Sequence, residues 1–261
     1  MRMLIGFGLP VSGSWATPDA IVHVARLAEE RGYASLWTFQ RVLGDEPVLD
    51  PLVVLALVAG HTDRIRLGTA TICAPFIAPA LLAKSLSSLD VLCGGRLDVG
   101  LGMGWKREEY AAAGVPFERR GARMDEYLRC LHALWTQDPV EFAGEFYTVP
   151  RSHQRPRPVQ QPHPPILLGG AAAPALRRAG RLAQGWIASS QHALDDLPGA
   201  IDIVRAASHQ APRIVVRRTH LDDIETLRAL GVTEVILDLN FTPGVDLQIA
   251  ERELRRLRPS A

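Results

Sequence analysis

The sequence predicts an α/β protein of the (β/α)8 class, a TIM barrel, on two observations. At 261 residues the chain has the length at which one parallel barrel closes on a single core. Short β-type runs alternate with stretches of helical period eight times, and no strand-only or helix-only block breaks the order. An open doubly wound sheet shares this alternation, but right-handed crossovers let eight regular units close into a ring. A single domain over residues 1–261 is expected, with no obvious linker.

The first unit is Leu4 to Leu9 and a helix that Thr17 caps and Pro18 opens, with Ile21, Val24, Ala25 and Ala28 on its apolar face and Gly32 at its end. Ala34 to Thr38 and a helix from Asp50 to Gly60 form the second. Ile65 to Ile72 and a helix from Pro79 to Cys93 form the third, with Gly94 and Gly95 as caps. The fourth strand, Arg96 to Leu101, leads through a glycine-rich turn to a short helix at Arg107 to Ala113 and a longer one at Arg119 to Trp135. Units five and six pair Ile166 to Leu168 with Pro174 to Ala183, and Trp186 to Ala188 with Leu194 to Ala207. Units seven and eight pair Arg213 to Arg217 with Leu221 to Leu230, and Glu234 to Leu239 with Leu247 to Leu257. Residues 138–165, rich in Pro and Arg, depart from the rhythm and read as a surface excursion, either a lid or an ordered insertion.

Composition removes several functions. With 29 basic and 28 acidic residues there is no net field to hold nucleic acid or an anionic membrane, and no run approaches 18 apolar residues. Cys73, Cys93 and Cys130 form neither a disulfide framework nor zinc-ribbon spacing, and Met1 to Pro10 lacks the pattern of a leader, so a cytoplasmic protein is expected. Eight histidines show no HxH or HExxH spacing, which disfavours a metal centre. No GxSxG elbow and no paired carboxylates at strand ends point to a serine hydrolase or a glycosidase.

In a barrel of this class function resides at the strand C-termini. After strand one, Pro10, Ser12 and Gly13 form a small-residue turn. After strand two come Trp37, Thr38, Phe39, Gln40 and Arg41, an aromatic, an amide and a permanent cation suited to a planar ligand with an anionic oxygen. In strand three, Gly68, Thr69, Ala70 and Thr71 are small enough for a ring to approach the backbone. Gly100, Leu101, Gly102, Met103 and Gly104 bare backbone amides at the end of strand four, without the offset of a dinucleotide fingerprint. Gly169, Gly170, Ala171 and Ala172 precede a helix that starts near Pro174, where free N–H groups favour a phosphate. Further strand ends carry Ser189, Ser190 and Gln191, then Arg217 and Arg218, then Asp238 and Asn240, each able to hydrogen-bond a ligand. A phosphosugar isomerase or aldolase would want a strand-end lysine, whereas the two lysines, Lys84 and Lys106, fall elsewhere.

The stretches RLDVGLGMGWKREEYAAAGVPFERRGARMDEYLRCLHALW (96–135), PVEFAGEFYTV (139–149), PHPPILLGGAAAPALRRAGRLAQGW (162–186) and GVTEVILDLN (231–240) resemble the bacterial luciferase-like monooxygenase family, nearest to its coenzyme F420-dependent oxidoreductase branch. The resemblance implies a TIM barrel that binds F420 or, alternatively, FMN at the strand C-termini, as a homodimer, with a separate cofactor reductase as a further partner. By position, Gly100, Leu101, Gly102, Met103 and Gly104 would lie along the cofactor. Gly169, Gly170, Ala171 and Ala172 would hold its phosphate, Ser189 is a further cofactor-binding candidate, and a non-prolyl cis bond would fall near Ala70 and Thr71. Gln40 and Arg41 stand where many relatives carry Asp-His. Arginine stays protonated, so it is no general acid or base but can neutralise an anionic oxygen. The stretch THLDDIE (219–225) is shorter than the corresponding loop of relatives. The expected activity is F420-dependent hydride transfer to or from a small organic substrate, with Gln40 and Arg41 as catalytic residues. FMN-dependent monooxygenation and a non-catalytic cofactor-binding protein are the alternatives.

Overall fold

Eight parallel strands close into a barrel in the computed structural model, in which residues 3–256 are described. The chain begins with β1 (Leu4–Gly8) and α1 (Pro18–Glu30), whose first turn is capped by the Thr17 hydroxyl accepting from the Ala20 N–H at 3.3 Å. β2 (Ser35–Thr38) follows, then α2 (Pro51–Ala59), capped by the Asp50 carboxylate accepting from Leu52 and Val53 at 2.9 and 3.1 Å.

The third strand, expected to be continuous, is split into β3 (Arg66–Thr69) and β4 (Ile72–Cys73). Between them the chain turns through Ala70 and Thr71, joined by a cis peptide bond where the resemblance placed one. α3 (Pro79–Leu92) leads to β5 (Leu97–Gly102), α4 (Arg107–Ala112) and α5 (Arg120–Thr136). The excursion folds as β6 (Val140–Ala143) and β7 (Thr148–Ser152), and the barrel resumes with β8 (Ile166–Gly169), α6 (Ala173–Leu182), β9 (Gly185–Ala188) and α7 (Leu197–Ala207).

β10 (Arg213–Arg218), α8 (Ile224–Ala229), β11 (Glu234–Leu237) and α9 (Leu247–Arg256) complete it. α8 is shorter than the expected Leu221 to Leu230. Leu221 instead closes a turn by accepting from the Ile224 N–H at 3.2 Å, and Asp222 and Asp223 sit in that turn, where aspartate is more at home than inside a helix. Leu257, the expected last residue of α9, lies outside the described residues.

The strand order is β3-β2-β1-β11-β10-β9-β8-β5, with β3 pairing β5 to close the ring and β4 extending the third strand along the end of β5. Most of the apolar core lies between this barrel and its helices. The interior is layered. At the N-terminal end Asp98 accepts from Arg66 (2.9 and 2.7 Å) and from Arg213 (2.8 and 3.2 Å), while Arg213 also reaches Glu234 at 3.1 Å. Glu234 in turn accepts from the Ser35 hydroxyl and from the Trp37 indole. Above this cluster Trp37, Leu167, Ile187, Val215 and Ile236 pack with Ala70 into an apolar layer. A Cβ at Gly68 would lie 2.4 Å from the Trp37 ring, so this glycine makes room for the indole rather than for a ligand.

The excursion is an ordered insertion, not a lid. Its β6–β7 hairpin packs along α5, where the buried Glu126 carboxylate accepts from the N–H groups of Glu145, Phe146 and Tyr147 at 2.9, 2.7 and 2.8 Å. The returning chain passes the opposite end of the barrel from the mouth, where Gln160 donates to the Leu97 carbonyl at 2.7 Å and to Asp90 at 2.8 Å.

Candidate functional site

A cavity of about 480 Å³ opens at the C-terminal ends of the strands, within the usual size of small-molecule sites. No residue of 138–165 lines it. A shallow groove between α1 and α2 on the outside of the barrel is formed by His23 of α1, Leu57 of α2 and His61 in the turn after it.

One wall comes from the segment after β2. Phe39 is buried, whereas Gln40 and Arg41 are half-buried and line the cavity. The Gln40 carbonyl oxygen accepts from the Cys73 N–H at 2.9 Å, which ties its amide to the backbone after β4. The segment is held from α4: the buried Glu109 carboxylate accepts from Val42 and Leu43 at 3.0 and 3.1 Å, and Lys106 donates to the Leu43 carbonyl at 3.2 Å. Trp37 points into the barrel interior, so Phe39 supplies the aromatic surface at the mouth.

The facing wall is backbone. Ala70, Thr71, Gly102, Met103, Gly104, Gly169, Gly170 and Ala171 all border the cavity. Gly100 and Leu101 do not: Leu101 is fully buried in the core, and a Cβ at Gly100 would lie 1.8 Å from the Thr69 carbonyl oxygen. Their placement along a ligand is therefore corrected; Gly100 permits close packing against β3, where the Thr69 hydroxyl bridges its C=O and N–H at 2.8 and 2.9 Å. Ala172 is the N-cap of α6, beyond the lining residues, with no side-chain cap on that helix. The Trp186 indole donates to the Gly170 carbonyl at 2.8 Å and fixes the turn. Ser189 and Ser190 border the same side.

Two further features at this end of the barrel are built on strand-end residues that the sequence offers as possible ligand donors. Arg217 at the end of β10 donates to Asp238 through Nε and Nη2 and to the Ala70 carbonyl through Nη1 at 2.8 Å. Asp238 is braced by the Asn240 backbone and side-chain amides at 3.1 and 2.7 Å. Beside them, Arg218 donates to the His192 carbonyl at 2.9 Å, while Arg218 Nη2 and His192 Nε2 are buried with no partner among the described residues. Burial pulls the His192 imidazole below the usual histidine range, which favours its neutral form. Burial also pushes the Cys73 thiol up to about 12, so it is not a ready nucleophile.

Phe241, Glu109, Lys106 and Trp105 also line the mouth and were not picked out from the sequence. Trp105, 78% exposed, stands next to the glycine segment and could have been suspected from that adjacency. Glu109 gives no signal, because its role depends on amides 66 and 67 residues away. Among the described residues no group of three or more His, Cys, Asp or Glu side chains is placed to hold a metal ion, and no helix is long and apolar enough to cross a membrane.

Residues 3–223 match the family described as luciferase-like monooxygenase. The chain belongs to that family. This luciferase-like protein is 35% identical over 263 residues to an uncharacterized protein of Mycobacterium tuberculosis, with 91% of this chain and 92% of the relative covered. It is 30% identical over 189 residues to an FMNH2-dependent dimethylsulfone monooxygenase of Pseudomonas putida, covering 70% of this chain and 52% of that one. Its fold is that of the coenzyme F420-dependent tetrahydromethanopterin reductase from Methanopyrus kandleri, with a TM-score of 0.80 at 17% identity over 99% of both chains. The luciferase-like protein is thus an enzyme of the flavin- and deazaflavin-dependent oxidoreductase and monooxygenase class.

Proposed function

We propose that this luciferase-like protein is an F420-dependent oxidoreductase that transfers a hydride between the deazaflavin and a small organic substrate in the mouth cavity. The observation that carries the reading is the character of that cavity, one backbone wall facing one aromatic and cationic wall. Among the described residues Glu109 is its only lining carboxylate, and Oε1 of that group accepts from two amides. Such a site offers orientation and fixed charge more than proton transfer, which suits a reaction whose chemistry the cofactor brings.

The residues present fit a flat, phosphorylated ring system. A Cβ at Gly104 would press on Phe76 and Cys73, and one at Gly169 would meet the Thr71 methyl at 3.1 Å, so the wall stays free of side chains only with glycine there. F420, when bound, supplies a ring carbon that accepts or releases hydride. Phe39, Ala70 and Thr71 would flank the ring, and the amides around Gly170, Ala171 and Ala172 with Ser189 would hold the phosphate. His192, which borders the cavity and whose Nε2 has no partner among the described residues, is available to the same anion. Gln40 and Arg41 would polarise a ring or substrate oxygen.

FMN-dependent monooxygenation is the second reading, supported by the likeness to the Pseudomonas putida enzyme, and would call for a partner reductase. A homodimer is part of the proposal: Val53 on α2 and Leu81 on α3 are 70% and 65% exposed on packed neighbouring helices. A cytoplasmic location is proposed with it.

Titration of the protein with F420 and with FMN, each followed by fluorescence and absorbance, tests the reading. Saturable binding of F420 with weak or no binding of FMN is expected. Tight binding of FMN alone would overturn it in favour of the second reading.

A further inference from the structure

We infer that Arg217 is the anion-binding group of the substrate subsite, and that the substrate is a small carboxylate with an apolar body. The inference deepens the proposed function, since it rests on reading the mouth as the shared cavity of cofactor and substrate.

Arg217 differs from the other cations that border the cavity. Arg41 and Lys106 sit half-buried at the rim, and no hydrogen bond fixes the Arg41 guanidinium among the described residues. Arg217 is 7% exposed, faces inward from β10 and is held from two sides, by Asp238 and by the Ala70 carbonyl. Behind Asp238, Asn240 donates to the Leu9 carbonyl at 2.8 Å and accepts from Val11 and Ser12 at 3.0 and 3.1 Å, so the support runs into the backbone of the first βα turn. Phe39 and Phe241 lie 5.3 and 5.2 Å from the guanidinium carbon. The group has little freedom left to lose when it binds, which is the condition for strong charge-assisted recognition.

Its donor inventory is not exhausted. A guanidinium has five N–H bonds; Nε, one on Nη1 and one on Nη2 are committed. One hydrogen on each terminal nitrogen has no acceptor among the described residues, and the residue borders the cavity. Each terminal nitrogen therefore keeps a donor for an anion, and a carboxylate offers an oxygen to each. The surroundings bear on the rest of the ligand: Phe39, Phe241, Ile187 and Ala70 are apolar, and Glu109, the only lining carboxylate among the described residues, has its Oε1 on two amides. An anionic head with an apolar body meets complementary groups here, whereas a cationic substrate would face the charges of Arg217, Arg41 and Lys106.

The test uses benzoate and its uncharged isostere benzamide, titrated calorimetrically into the protein loaded with whichever cofactor it binds. Benzoate is expected to bind roughly ten-fold tighter than benzamide, as a charge-assisted pair would give. Arg217→Gln should abolish that preference. If Arg217→Gln does not fold, Arg217→Lys decides: it keeps the charge but not the paired donors, so benzoate should weaken several-fold with benzamide unaffected. Equal affinity of the wild-type protein for the two probes overturns the inference. So does a variant that loses cofactor but keeps the benzoate preference, because the guanidinium then serves the cofactor. Should neither cofactor bind, the proposed function fails, and the same titrations on the protein alone still test Arg217.

Discussion

Gly104 shows how tightly the mouth is specified. Its backbone has φ of 71°, and a Cβ there would stand 3.0 Å from Phe76 and 3.3 Å from Cys73. Gly104→Val is expected to lower cofactor affinity at least ten-fold and to cost about 1 to 2 kcal/mol of stability from the backbone conformation alone. Cofactor titration and urea unfolding measure the two effects separately. The alternate glycines 100, 102 and 104 read alike in sequence, yet the first packs against β3 and the other two border the cavity. The difference is depth along the barrel axis, set by the stagger of β5 against β3 and β8, which no local pattern records. Arg217 and Arg218 illustrate the same limit: adjacent and chemically identical, they point to opposite faces of β10 because side chains alternate along a strand. Only the inward one meets Asp238.

The eight βα units were legible because period-two and period-3.6 runs are each bounded by local signals, such as Thr17 and Asp50 at helix starts. The break between β3 and β4 was not, since the sequence there is a plain β-type run and the turn at Ala70 and Thr71 is held by Thr38, Gln40 and Arg217 from other strands. The side of the barrel on which the excursion lies was equally hidden. It is decided by Glu126, whose carboxylate gathers three amides 19 to 21 residues downstream. Glu126→Ala removes those acceptors and is expected to destabilise the protein by about 2 to 4 kcal/mol, the loss of several charge-assisted bonds to part-buried amides. Because the hairpin packs on α5 and not over the mouth, cofactor affinity should not change; a large change in that affinity would show the hairpin acting on the site.

The barrel as a whole stands on a charged cluster at one end. Burial alone would raise the Asp98 carboxyl, but hydrogen bonds from Arg66 and Arg213 outweigh it and hold the group below the usual carboxylate range. Its contribution is therefore present above the unfolded-state value and is lost as pH falls through the lower folded value. Glu234 runs the other way: burial raises it despite Ser35, Arg213 and Trp37, so its contribution is full below the unfolded value and fades as pH rises through the folded one. Asp98→Asn leaves the partly exposed Arg66 without a carboxylate and Arg213 with Glu234 alone, and should cost about 2 to 3 kcal/mol at pH 7. Glu234→Gln retains an acceptor for Ser35 and Trp37, should cost less than about 1.5 kcal/mol, and should compare more favourably with wild type at pH 8 than at pH 5. Urea unfolding at both pH values reads both outcomes.

The apolar layer of Trp37, Leu167, Ile187, Val215 and Ile236 separates this cluster from the mouth, and its side chains are all but inaccessible to solvent. It works as a dry bulkhead across the barrel axis. Any proton that turnover consumes would enter from the open mouth rather than through the barrel axis, and the ionic plug beneath is insulated from the chemistry above it.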